Sequence, residues 1–185
     1  MIELIIAISG KRKSGKDYCA NVLKKFVEEN RIAVEISGIS HSLKKEFAKI
    51  HNIDFNELLT DGPYKEKYRK EMIEWGEEKR KIDPGVFCRC SVDQLSTIPR
   101  ILIISDCRRI SDMDYFKNAH RTITVRIETS DLDRESRGFR FVKGIDDAES
   151  ECGLDNYNFD FRISNSNSNS SNLEKQLREI LKQVL

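Results

Sequence analysis

Residues 10–17 read Gly-Lys-Arg-Lys-Ser-Gly-Lys-Asp, directly after the apolar run Leu4 to Ile8. A buried strand that enters a glycine-rich turn and leaves it as a helix aims backbone N–H groups and the positive end of the helix at one point. That arrangement suits a phosphate. The spacing GxxxxGK is that of a P-loop, so Lys11, Arg12, Lys13, Ser14 and Gly15 are expected to wrap a nucleotide polyphosphate. Lys16 is expected to reach its β- and γ-phosphates. Asp17 stands where Ser or Thr is usual. It sets a carboxylate near the spot where a hydroxyl would meet Mg²⁺. It could hold the ion through water, or tether Lys16 or Arg12. The chain is therefore expected to handle ATP or GTP.

The rest of the chain supplies the fold such a loop needs. Aliphatic, β-branched segments at about 2–9, 32–37, 100–105, 122–128 and 159–163 alternate with helical patterns at about 16–29, 41–51, 64–81, 86–95 and 173–184. Ser40 or Ser42 is available to cap the second helix, and 111–114 to cap a short one. Residues 131–137 read as helical or loop-like, and 165–172 as an exposed Asn/Ser loop. Strands alternating with helices predict an α/β fold with a parallel sheet. At 185 residues, with no linker or repeat, one domain is expected.

Composition narrows the partners. Charged residues make up 34 %, yet the net charge is +1. Any positive field must be local, and neither nucleic acid nor membrane is expected as a partner. Five cysteines, an odd number with no CxxC pair, argue against a zinc site or a disulfide framework and for a reducing compartment. The N-terminal run lacks the basic start and small-residue cleavage site of a signal peptide and reads as a strand. No stretch approaches the length of a membrane span.

The cations then carry the argument. A single Arg is usually solvated surface. Arg108 and Arg109 are different, because they follow the carboxyl end of a buried strand, where ligands bind in open α/β sheets. Guanidinium forks bind phosphate bidentately. Ser105-Asp106 ends the same strand, and an Asp there is a candidate metal-directed carboxylate. Arg137, beside Gly138, could ride on a mobile lid. Two strings stay ambiguous when read alone: 75–80 as a helix with one core Trp, and 149–156 as acidic surface or substrate-side loop, with Cys152 as packing. Asn165 reads alone as a plain loop residue.

Taken in order, several strings resemble phosphomevalonate kinases of the animal type. They are SGKRKSGKD at 9–17, YKE at 64–66, WGEEKR at 75–80, DPG-x-FCR at 83–89, SD-x-RR-x-SD at 105–112, RG at 137–138 and DDAESECGLDN at 146–156. They span nearly the whole chain. The resemblance implies a three-layer fold like the nucleoside monophosphate kinases, a parallel sheet flanked by helices. It implies an acceptor-binding region at about 40–95 and a lid at about 128–145. The implied reaction moves the γ-phosphoryl of ATP to (R)-5-phosphomevalonate, with Mg²⁺, in isoprenoid and sterol precursor synthesis. The Asp at position 17 is itself part of the family's loop.

Carried onto matching positions, the resemblance implies that transfer rests on Lys16, Arg80, Arg108 and Arg109. ATP would be held by Lys11, Arg12, Lys13, Ser14, Gly15, Lys16, Asp17, Arg137 and Asn165. The acceptor would be held by Lys44, Lys65, Arg69, Arg80, Arg89, Arg108, Arg109, Arg126 and Arg137, with Arg126 and Arg137 on the lid side. Asp17 and Asp106 would serve the metal. Arg140 stands where an apolar residue is expected, and the Asn/Ser tract departs from the family pattern. The C-terminus carries no peroxisomal signal. A cytosolic monomer is expected. The rival readings are a nucleoside or deoxynucleoside monophosphate kinase on the same fold and a P-loop switch. The first would need a base pocket for its acceptor. The second would usually bring a guanine-reading NKxD, which is missing.

Overall fold

All seven residues of β1 (Leu4–Gly10) are buried, as a strand covered on both faces of a parallel sheet requires. In the computed structural model, which describes residues 1–60, 62–166 and 170–185, the chain continues as α1 (Lys16–Glu29), β2 (Val34–Ser37), α2 (Ile39–His51), α3 (Phe55–Leu59), α4 (Pro63–Ile82) and α5 (Val86–Asp93). Then come β3 (Ile101–Ile104), α6 (Ile110–Ala119), β4 (Thr122–Glu128), α7 (Asp131–Ser136), α8 (Glu149–Cys152), β5 (Phe161–Ser164) and α9 (Ser170–Val184). Among the described residues the sheet order is β2-β3-β1-β4-β5. β1 pairs in parallel with β3 and with β4, and β4 with β5. β1 is thus the central strand, and the loop that leaves it emerges at the middle of the sheet's carboxyl edge, the ligand edge of such folds.

The expected α/β fold is the one observed. One face of the sheet carries the main core. Leu4, Ile6 and Ile8 of β1 and Val125 and Ile127 of β4 meet Cys19, Leu23 and Val27 of α1 and Leu177 and Ile180 of α9. Leu23 is fully buried there, and truncating it to Ala would cost about 2–5 kcal/mol.

The chain divides into two compact units, residues 1–36 with 97–185, and residues 37–96. The second has its own core, in which Phe47, Ala48, Leu58 and Met72 are packed by Leu43, Tyr64, Tyr68 and Trp75. Its long helix α4 starts with Pro at its first position and passes close to α2 at Gly76. A Cβ on Gly76 would stand 2.8 Å from Leu43 Cδ1.

Local chemistry explains where the elements differ from expectation. α3 was not expected; Asp54 caps it by accepting from the N–H groups of Asn56 and Glu57 at 2.7 and 3.2 Å. α2 is not capped by Ser40 or Ser42. Its N-cap is Gly38, and the Ser42 hydroxyl donates back to the Gly38 carbonyl at 3.2 Å. α6 begins at Ile110 after Arg109, and Asp112 acts on its first turn from inside. In the Asn/Ser tract, 167–169 lie outside the described residues, and from Ser170 the chain is already α9. Short polar side chains are at home at a helix start, so composition alone placed this boundary late.

Candidate active site

The loop between β1 and α1 takes the shape its glycines allow. Lys13 and Gly15 have φ of 65° and 85°, the left-handed region that costs a non-Gly residue roughly 1–3 kcal/mol. Gly10 leaves no room for a side chain, since a Cβ there would stand 2.5 Å from Ser14 Oγ and 3.0 Å from the Ile127 carbonyl. Gly15, the N-cap of α1, makes no side-chain cap. The N–H groups of the first helical turn are therefore left for an anion.

Lys16 lies at that helix start, with its Nζ 3.8 Å from Asp17 Oδ2. Burial pulls its pKa below the ordinary 10.5, and Arg108 pulls it further in the same direction, while Asp17 and Asp106 oppose. Arg108 is itself held below its usual value by burial, with Asp106 and Asp17 opposing and Arg109 adding to the drop. The action of Arg108 on Lys16, and of Asp17 and Asp106 on both, places the loop lysine and the carboxyl end of β3 in one electrostatic environment. Lys16 and Arg108 are cations held largely out of water there, a setting that suits an anionic ligand.

A network of carboxylates orders the neighbouring cations. Asp155 bridges two of them: Lys11 Nζ at 2.8 Å through Oδ2 and Arg126 at 2.7 Å through Oδ1. Arg126 lies in β4, where it is buried and also donates to the Ser9 hydroxyl at 3.0 Å. Asp146 pairs with the Arg12 guanidinium at 2.8 Å. Glu151 pairs with Arg108 and accepts the Arg12 N–H at 2.9 Å. Asp112 accepts the N–H groups of Arg108 and Arg109 at 2.9 and 3.1 Å, fixing the turn that carries both.

On the other side of the loop, Arg137 donates to the Ser14 carbonyl at 3.1 Å and to the Asn165 carbonyl at 2.9 Å. The Asn165 amide donates to the Ser14 carbonyl at 2.7 Å. It is buried, which a plain loop residue would not be, and a Cβ on Gly15 would stand 2.2 Å from its Nδ2. Arg140 is exposed, and its contribution here is a backbone carbonyl that accepts from Arg12 at 2.5 Å. A position defined by its carbonyl and open to water tolerates a charged side chain.

The sequence reading missed Arg134. It is buried, donates to the Arg12 carbonyl at 2.9 Å, and stacks on Phe139 with its guanidinium carbon 3.8 Å from the ring centroid. Arg12 approaches the same ring at 5.2 Å. Asp146, Glu151 and Asp155 were missed as individuals. The signal for them was the length of the string 146–156.

A cavity of about 450 Å³ opens beside this network, lined by Lys11, Ser14, Arg126, Arg134, Phe139 and Asp155 among others. Cys19, in the first turns of α1, has its thiol pushed up to about 12 by burial, which leaves it inert at neutral pH. Among the described residues, no group of three or more His, Cys, Asp or Glu gathers to cage a metal.

In the unit of residues 37–96, the expected acceptor-side cations lie on helices. Lys44 is half-buried on α2, Lys65 and Arg69 are half-buried on α4, and Arg89 is exposed on α5. Arg69 pairs with Glu66 one turn before it, and Arg89 with Asp83. Arg80 departs from the surface reading of a lone arginine. It is buried, with its guanidinium carbon 5.0 Å from the Phe87 ring centroid.

Known proteins supply the comparison. The family model described as phosphomevalonate kinase matches residues 8–122. The phosphomevalonate kinase of Drosophila melanogaster is 39 % identical over 168 residues, covering 87 % of each chain. Among solved structures, the chain is similar to the APS kinase CysC of Mycobacterium tuberculosis in complex with AMPPNP and APS, with a TM-score of 0.55 at 13 % identity over 99 % of this chain and 98 % of that one. It is also similar to the shikimate kinase of Acinetobacter baumannii in complex with shikimate, with a TM-score of 0.51 at 13 % identity over 100 % and 93 %. At these identities the structural likenesses speak for the fold alone. Among the described residues, no helix is long and apolar enough to cross a membrane.

Proposed function

The chain belongs to the phosphomevalonate kinase family, and we propose that it moves the γ-phosphoryl of ATP to 5-phosphomevalonate with the P-loop and the Arg108–Arg109 turn as its transfer centre. The bond from the γ-phosphorus to the β-bridging oxygen breaks as a bond to an acceptor phosphate oxygen forms, giving ADP and 5-diphosphomevalonate. The acceptor oxygen is ionised near neutral pH, because a phosphate monoester has its second pKa at about 6. No general base is then required. Such a reaction needs positioning and charge neutralisation.

The observation that carries this reading is that Lys16 and Arg108 are both largely withdrawn from water beside Asp17 and Asp106, with Arg108 acting on Lys16. Lys16 at the start of α1 is suited to follow the γ-phosphoryl. Arg108 and Arg109 are suited to neutralise charge on it as it moves. Arg126 and Arg137 serve the two ligands from β4 and from the lid, residues 128–145. Asn165 and the loop residues 11–17 serve ATP. Residues at about 40–95 form the acceptor-binding region in this reading, with Lys44, Lys65, Arg69, Arg80 and Arg89 holding the acceptor and Arg80 also assisting transfer.

Mg²⁺ fits this donor set. The ion keeps several waters and asks only one or two protein carboxylates beside the substrate phosphates. Asp17, with its side chain 76 % exposed beside Lys16, and Asp106 at the end of β3 are the candidates. Held by these residues, the ion would supply neutralisation of the phosphates' charge. Five cysteines, none of them in a disulfide, support a cytosolic setting, and the enzyme acts as a monomer in this reading.

A coupled assay for ADP release tests the proposal, offering phosphomevalonate, nucleoside monophosphates and water in turn. Turnover is expected with phosphomevalonate alone. Equal turnover with a nucleoside monophosphate would replace it with a nucleotide kinase, and release without an acceptor would replace it with a slow hydrolytic switch.

A further inference from the structure

The four-residue helix α8 matched no strand or helix pattern in the sequence, yet it supplies a side chain that joins the nucleotide loop to the transfer arginine Arg108. Glu151 is buried, its side chain 5 % exposed. Both of its oxygens are committed: Oε2 accepts the backbone N–H of Arg12 at 2.9 Å, and Oε1 accepts from Arg108 Nη1. The carbonyl of the preceding Ser150 accepts from the same Nη1 at 3.2 Å. The anchor therefore takes one corner of the guanidinium fork. Gly153 lets the helix end where it does, because a Cβ there would stand 2.7 Å from the Glu149 carbonyl.

A buried carboxylate is costly unless fully paired. A carboxylate beside a phosphate-binding arginine also weakens that arginine's pull on anions. Binding strength alone would therefore select against Glu151 here. Geometry selects for it, since an arginine on a flexible stem neutralises a moving phosphoryl only if it is held in place before the reaction begins.

We infer that Glu151 is a positioning residue for phosphoryl transfer, fixing the Arg108 guanidinium against the backbone of the P-loop at Arg12. It touches neither ligand and acts through Arg108. The inference rests on the transfer role proposed for Arg108.

The test is a double-mutant cycle on the full-length enzyme with ATP and phosphomevalonate, using E151Q, R108M and the pair. The amide of E151Q keeps one acceptor for Arg12 and turns donors or a weaker acceptor toward Arg108. Its kcat should fall by about 10- to 100-fold. KM for both substrates should stay level or drop, because a negative charge has left the site. In the R108M background, E151Q should change kcat by less than about two-fold.

E151D, which keeps the charge on a shorter arm, should retain more turnover than E151Q. It replaces E151Q in the cycle if that variant does not reach the parent's circular dichroism and melting behaviour. Parental kcat in E151Q beside an impaired R108M overturns the positioning role while leaving that of Arg108. So do losses that add in the double variant, or a rise in KM with kcat unmoved. Parental turnover in R108M itself removes the reading of Arg108 and this inference with it.

Discussion

The cations of the P-loop unit and those of residues 37–96 are ordered in different ways. In the first, Lys11 and Arg126 share Asp155, Arg12 pairs with Asp146, and Arg108 pairs with Glu151, all across more than twenty residues of chain. Arg126, Asp146 and Glu151 have side chains only 8, 3 and 5 % exposed. In the second, Arg69 is tied to Glu66 on the same face of one helix, and Arg89, with its side chain 49 % exposed, to Asp83 just before its own helix. Exposed local pairs are worth about 0–1 kcal/mol and break easily. Buried pairs are costly to break, which fixes their members in place. The first arrangement suits groups that must be aligned before a bond breaks. The second suits groups that capture a ligand and rearrange around it.

The sharpest way to break this comparison is Lys16→Met. It should lower kcat by at least about 10³-fold with the parental melting temperature retained; near-parental steady-state turnover would remove Lys16 from the transfer centre. Next comes Arg108→Met, with a loss in kcat of about 10²- to 10³-fold. Single-turnover quench measurements would check that the loss lies in the chemical step.

Lys65→Ala and Arg69→Ala should behave otherwise. KM for phosphomevalonate should rise by about ten-fold, the scale of one charge-assisted contact, with kcat within a few-fold of the parent. Titration calorimetry with phosphomevalonate reads this directly, and undiminished affinity would show that these two cations do not hold the acceptor.

The pH dependence is a smaller effect with a definite sign. Burial first, and Arg108 second, lower the pKa of Lys16 in the free protein from 10.5, and the protonated form is the one that binds phosphate. ATP affinity should therefore decline as pH rises, starting below the ordinary lysine range, and binding on that limb should take up protons. Calorimetry in buffers of different ionisation enthalpy would detect the uptake; proton release instead would contradict it. Smallest of all, Cys19, with its thiol pushed up to about 12, should resist alkylation at neutral pH while the protein is folded. Peptide mapping after iodoacetamide treatment would show whether it does.

Much of the frame was legible beforehand. The P-loop helix begins and ends at the expected residues, Lys16 and Glu29, because Gly15 punctuates its start and an apolar face at helical spacing runs through Leu23 and Phe26. β4 also spans its expected residues, 122–128. α3 and α8 were not legible. Four- and five-residue helices are too short for periodicity to register, and only Asp54 announced one of them. The site divides in the same way. Lys16, Arg108 and Arg109 could be named from motif and strand-end position. Arg134, Asp146, Glu151 and Asp155 could not, since their roles depend on contacts with residues 12, 108, 11 and 126 that no local pattern encodes.

The sequence by itself determined that a phosphate-binding loop would leave a buried parallel strand, because glycine spacing and apolar runs act over a few residues and carry their own physics. Only the tertiary structure decided which carboxylates would hold which cations. Asp155, for example, lies 144 positions from Lys11 and 29 from Arg126 (155 − 11 and 155 − 126), and no property of those three residues names the others until the sheet is closed. Electrostatic alignment is a matter of ångströms in space, and chain distance does not report it.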